Sequence, residues 1–280
     1  MSLGNLGTEI NKTLVSSVRG AGDIFAISMN VARISTARSL RSVKNTGKRA
    51  PILIADALDG TIKAANHIGM DLGSAIKSSV IGIIRGIGEV RSVTKSALTE
   101  AVRAAMKTTN SAGGNVAVAG RSATEGVLYA SKSIGLGTEE WVSDLARTSI
   151  NVAHDAGTEL SETAREVIQG AIEVSQEVRL NIAKVTGEIS KGIILGVWDV
   201  RGNPMIVSRT VLEGAAESAA YLGLNAKEIV AAASKGMLEA AYQVGGNFQD
   251  VISTLIVQWS ESSAHKHAVN TAAASRSQPI

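Results

Sequence analysis

The chain has 280 residues, 45% hydrophobic and 19% charged, with three prolines and a formal net charge of +3; such a composition supports a sizeable core and excludes a disordered or collagen-like chain. Aromatic residues are 3% of the chain and cysteine is absent, which excludes a disulfide framework, a thiolate metal site and a cysteine nucleophile, and leaves packing to small side chains rather than to the aromatic area of a conventional enzyme core. The first residues, "MSLGNLGTEINKTLV", have no basic segment followed by an apolar one, and no run of 18 uncharged apolar residues occurs, so the expectation is a cytoplasmic protein without a leader or a transmembrane segment.

Residues 1–46 read as an atypical N-terminal helical cap, with helix starts at Thr8 and Asp23. No acid occurs between Asp23 and Asp56, while Arg33, Arg38, Arg41, Lys44, Lys48 and Arg49 gather in "ARISTARSLRSVKNTGKRA". That cluster suits an anionic surface or a contact between subunits. Without an aromatic among the bases it does not suit stacking on single-stranded nucleic acid. Residues 1–110 carry 15 Lys/Arg against 7 Asp/Glu, whereas 111–280 carry 13 against 18. One end of the chain is therefore set to attract the other end of a second copy.

From residue 47 to 257 the chain is periodic. Segments beginning at Gly60, Gly126, Gly170 and Gly214 align at separations that are multiples of 11. In that register one column runs Ile68, Ser79, Val90, Ala101, Ala112, Ala123, Ile134, Leu145, Ala156, Val167, Val178, Ile189, Val200, Val211, Leu222, Ala233, Val244, Leu255, with Ser79 its one polar member. A helix stacks such a column along one line, and the companion columns widen it to an apolar arc covering nearly half the helix surface.

Twice that interval separates the predicted joints. Gly69, Gly113, Gly135, Gly157, Gly223 and Gly245 recur at multiples of 22, with Arg91, Arg179 and Arg201 taking the same place elsewhere. Two residues on stand Asp71, Asn115, Asn181, Asn203, Asn225 and Asn247, and Pro204 follows Asn203. Glycine accepts the left-handed backbone that ends a helix, Asn or Asp caps the next one, and proline is tolerated at its first position. Glu228 stands where a capping box would place it, and Thr138 offers a start in "GTEEW". Each unit is predicted to be a helix of roughly 18 residues, about 27 Å long. The arginine joints weaken the bend, and "EVRSVTKSA" is compatible with one uninterrupted helix.

A second glycine column lies midway, at Gly60, Gly82, Gly126, Gly170, Gly192, Gly214 and Gly236, with Gly86 and Gly196 completing small-xxx-small pairs. Glycine inside a helix costs about 1 kcal/mol against alanine, so the column implies close helix packing.

Catalytic patterns are weak. His67, His154, His265 and His267 lack metal-ligand spacing, and no metal or cofactor is expected. The glycines of "GGNVAVAG" and "GIGEV" already belong to the periodic pattern and neither stretch carries a Walker lysine. Glu139, Glu140, Glu162 and Glu166 recur as a solvated face does, and Trp141, Trp198 and Tyr242 read as packing or interface residues. From residue 258 to 280 the pattern gives way to a polar tail.

As a period over residues 47–257, without a diagnostic motif, the chain resembles the 11- and 22-residue repeats of exchangeable apolipoproteins and perilipins, and its small-residue bias is similar to that of the phasins that coat bacterial polyester granules. That resemblance implies an amphipathic coat on lipid or hydrophobic polymer. Two departures favour protein against protein: Gly-x-Asn joints replace punctuating prolines, and the aromatic anchors of interfacial helices are scarce. The sequence therefore points to an all-α fold of tandem 22-residue helical repeats, as an α-solenoid or a single-layer array. The expected function is a non-catalytic structural protein that assembles with itself into a ring, tube, filament or shell, the alternative being the coat; nucleic acid is not an expected partner.

Overall fold

A computed structural model describes residues 6–18, 23–42, 50–136, 141–245 and 249–259. It is all-helical: α1 Leu6–Val18, α2 Ile24–Ser42, α3 Ala50–Ile68, α4 Leu72–Gly88, α5 Lys95–Ser111, α6 Val116–Ser133, α7 Trp141–Asp155, α8 Leu160–Glu177, α9 Ile182–Asp199, α10 Pro204–Tyr221 and α11 Ala226–Val244, followed by α12 over 249–259. No strand occurs among the described residues.

The helices end and restart through local chemistry. Gly69, Gly113, Gly135, Gly157, Gly223 and Gly245 have φ between 67° and 78°. The amide after the left-handed residue donates back across the last turn, as Leu136 N–H does to the Ser131 carbonyl at 2.9 Å and Leu224 N–H to Ala219 at 2.8 Å. The next helix is capped by a short polar side chain. Asp71 accepts from Ser74 N–H at 2.8 Å, Asn115 from Val118 at 3.0 Å, Asn181 from Lys184 at 2.9 Å, Asn203 from Met205 at 3.0 Å and Asn225 from Lys227 at 3.2 Å. Pro204 is the first residue of α10. Asn247 and Thr138 lie outside the described residues.

Arginine joints differ among themselves. Arg179 and Arg201 adopt φ of 56° and 54°, the left-handed conformation that costs a side-chain-bearing residue about 1–2 kcal/mol. Around Arg91 the chain breaks by another route. Helix α4 ends at Gly88 and α5 begins at Lys95 with Thr94 as its cap, so "EVRSVTKSA" is not one continuous helix. Thr8 lies inside α1 rather than at its start, whereas Asp23 accepts the Ala26 N–H at 3.0 Å just before α2. Replacing Arg179 or Arg201 with glycine is expected to stabilise the fold by up to about 1 kcal/mol each, since the strain is relieved against a smaller entropy gain in the unfolded chain. A denaturant midpoint that falls instead shows that the arginine side chain contributes more than its backbone costs.

Packing alternates along the chain. Helices α1, α3, α5, α7, α9 and α11 pack on one another in that order, and α2, α4, α6, α8 and α10 do the same, while consecutive helices meet across the two layers. The core fills the space between the layers, with Ile76, Ile83, Ile84, Leu98, Met106, Leu128, Leu145, Ile168, Ile189, Val211 and Met237 essentially inaccessible. The sequence column runs in step with this. Its mid-helix members Ser79, Ala101, Ala123, Leu145, Val167, Ile189, Val211 and Ala233 are fully buried, and its members at the joints, such as Ile134, Val178, Val200 and Leu222, are half-buried. The apolar arc of each inner helix is thus covered by its own chain.

Candidate functional site

Three sets of residues are candidates for function: the glycines, the charges on the outer surfaces, and the ends of the row. A Cβ placed on Gly60, Gly82, Gly192 or Gly236 would fall on the carbonyl oxygen of Gly7, Met29, Ser143 or Gly187 respectively. One on Gly86 would stand 2.5 Å from the Arg33 carbonyl, and one on Gly126 would stand 2.9 Å from that of Lys77. All six glycines seat a helix against the backbone of its neighbour within a layer. Gly196 meets both kinds of neighbour, the Ile150 Cβ at 2.7 Å and the Arg147 carbonyl at 3.1 Å. The backbone explanation does not extend to Gly170 and Gly214. A Cβ on Gly170 would stand 2.5 Å from Arg121 Cγ and 2.8 Å from Glu125 Oε1, and one on Gly214 would stand 3.0 Å from Ile168 Cγ2. Gly170 makes room for charged side chains, not for a backbone.

Those side chains belong to a seam that sequence reading missed. Arg33, Lys77, Arg121, Arg165 and Arg209 stand 44 residues apart on α2, α4, α6, α8 and α10. The first four reach carboxylates on the next helix of the layer or just past its end, and that spacing is the signal by which they could have been found. Arg33 pairs with Glu89, and Lys77 lies 3.2 Å from Glu125 and from Glu177. Arg121 contacts Glu125 at 2.9 Å, Glu166 at 3.2 Å and Glu173 at 2.6 Å, and Arg165 contacts Glu213 at 3.1 Å and Glu217 at 2.6 Å. Arg209 reaches Glu213 on its own helix at 3.1 Å. Burial alone would lower the pKa of Lys77 and of Arg121, but the surrounding glutamates hold both above their ordinary values. The other layer repeats the motif with Lys95–Asp144, Arg147–Asp199 at 2.6 Å and Lys191–Glu239 at 3.7 Å.

Hydrogen bonds from Arg147 and Asn151 hold the Asp199 carboxyl below the usual carboxylate range, though burial opposes them. A depressed carboxylate adds stability above its unfolded pKa of about 3.9, and that stability is lost as pH falls through the folded value. Asp199→Asn should therefore cost up to about 1 kcal/mol at pH 7. The difference from wild type should shrink once pH drops well below about 3.9. Urea titrations of both proteins at neutral and acid pH check this; an equal gap at both would show that the carboxylate charge is not what stabilises.

The N-terminal basic cluster is partly engaged. Arg33 and Arg41 both face Glu89, the latter at 3.9 Å, and Arg38 Nη1 donates to Glu9 at 2.8 Å. Lys44, Lys48 and Arg49 lie outside the described residues, as do His265 and His267. Two histidines are described: the ring of His67 lies 2.7 Å from the Lys63 carbonyl and His154 is exposed beside Asp155. Among the described residues no group of three His, Cys, Asp or Glu is placed to hold a metal ion, and no helix is long and apolar enough to cross a membrane.

Large apolar side chains left exposed are unevenly distributed. Ile34 and Ile52 lie near the N-terminal end, while Trp198, Met205, Ile206, Tyr221, Tyr242 and Val257 belong to α9 and the helices after it. Trp141, by contrast, is buried at the start of α7. No protein-family model matches the chain, and no curated protein matches it.

Proposed function

We propose that this protein is a non-catalytic structural element of the cytoplasm, a two-layer α-solenoid of tandem 22-residue units that associates with copies of itself. The observation that carries this reading is the state of α11: it leaves half-buried two positions whose counterparts on α9 are fully buried. Ser234 and Leu238 of α11 are half-buried, whereas Ser190 and Ile194, 44 residues earlier on α9, are inaccessible. Because the arcs of the inner helices are covered by the opposite layer, the unmet demand for cover is confined to the ends of the row.

Light scattering of the purified protein over a wide concentration range tests the proposal. The expected result is a mass that rises above that of one chain; a monodisperse monomer throughout, without detergent or lipid, overturns it. A coat on lipid or polymer granules would require the layers to separate and turn their apolar arcs outward. Co-flotation with liposomes accompanied by a gain in helix would favour that coat over the scaffold.

A further inference from the structure

We propose that α11 is the contact helix and that it takes the same face of a second copy in antiparallel register, giving a closed two-fold pair rather than a head-to-tail filament. This rests on the self-association reading above and adds the surface and the symmetry. Gly236 turns one side of α11 onto the Gly187 carbonyl of α9. The opposite side carries Lys227, Ala231, Ser234 and Leu238, spaced at i, i+4, i+7 and i+11. Lys227 and Ala231 are exposed and Ser234 and Leu238 are half-buried.

The stripe is self-complementary. Ala231 and Leu238 stand equally far to either side of the Ser234–Lys235 midpoint, and so do Lys227 and Tyr242. A two-fold axis through that midpoint sets Leu238 of one copy over the small Ala231 of the other, with the small Ser234 at the closest approach. It also brings Lys227 to Tyr242 of the second copy, matching a cation to an aromatic face. Lys235 shares its side of the helix with Glu228, so the axis does not oppose uncompensated lysines.

The other end of this layer offers no matching surface. Gly7 faces α3, and the side of α1 opposite it presents Glu9, Lys12, Thr13 and Ser16. Glu9 is held by Arg38, and in a head-to-tail stack Lys12 would meet the lysines of α11. A polar outer face is how a terminal helix closes a row.

Because the chain has no cysteine, single-cysteine variants report on this contact without background. Ser234→Cys, oxidised in the full chain under conditions where light scattering shows dimer, should cross-link to a covalent dimer, whereas Ser16→Cys should not. Leu238→Glu should weaken the dimer by at least ~10-fold in Kd. Cross-linking in a mixture of Ser16→Cys and Ser234→Cys would overturn the two-fold arrangement in favour of a filament. A dimer that persists while Ser234→Cys does not cross-link would overturn the α11 contact, whether residues 260–280 or another helix covers the stripe, and leave self-association standing. A monomer under all conditions would overturn both.

Discussion

Gly192→Ala should destabilise the fold by about 2–3 kcal/mol, a large part of the 5–15 kcal/mol that separates a typical native domain from its unfolded chain. Helix propensity alone gives the opposite sign, because alanine inside a helix is favoured over glycine by about 1 kcal/mol. Sterics decide the outcome. A Cβ at Gly192 would overlap the Ser143 carbonyl of α7, a backbone atom that moves only if the helix carrying it moves. Gly196, one turn later, bears on the same neighbour through Ile150 and the Arg147 carbonyl. Tilting α7 away to relieve one contact therefore opens the other. Gly120→Ala is the matched comparison. Its Cβ would meet the Met106 terminus at 3.3 Å, the far end of a flexible side chain. That variant should be neutral or gain up to about 1 kcal/mol. Denaturant midpoints of the two variants check the argument; if Gly192→Ala is as stable as wild type, the two helices do not touch backbone to backbone.

The same comparison marks what the sequence can and cannot disclose. That the chain is all-helical is legible because helix ends are local events. Glycine permits positive φ at Gly69 or Gly223, and Asn115 or Asn225 caps through a bond to an amide three residues away. Neither depends on what lies across the molecule. The order of stacking is not local. An apolar arc states that a helix is covered, not by which other helix, and the alternation of α1, α3, α5 against α2, α4, α6 follows from how successive bends sum. For this reason the arcs disclose that cover is needed but not its source, which is mostly the chain itself.

The glycine column was legible as a steric signal but not in its cause. Gly192 and Gly170 look alike in sequence, yet the first admits a carbonyl and the second admits Arg121 and Glu125. Missing the ion-pair seam has a related origin. A basic residue and its acid lie about 50 residues apart, for example Arg165 with Glu217 and Arg147 with Asp199. Only the 44-residue recurrence of the bases connects them in the sequence. At the arginine joints, Arg179 and Arg201 adopt the left-handed conformation and Arg91 does not. Here the flanking sequence decides, because "SVT" delays the restart until Thr94 whereas Asn181 and Asn203 restart the helix two residues on.

Arg121→Met should destabilise the protein by about 2–3 kcal/mol, although methionine keeps most of the apolar stem. The Arg121 side chain is three-quarters covered, and its guanidinium bonds three carboxylates on two helices, Glu125 on its own and Glu166 and Glu173 on α8. Removing it leaves those partly buried acids beside one another near Gly170, with Lys77 still 3.2 Å from Glu125, and the cost is mainly that of the uncompensated charges. Arg209 provides the contrast at the homologous position of α10. Its ion pair is with Glu213 one turn away on a largely exposed surface, so Arg209→Met should cost no more than about 0.5 kcal/mol. Adding Glu125→Gln and Glu173→Gln to Arg121→Met should recover at least half of the loss, because neutral amides do not repel. Equal stabilities for the Arg121 and Arg209 variants would show that the seam is a set of screened surface pairs, and a triple variant no better than Arg121→Met would show that charge repulsion is not the cause.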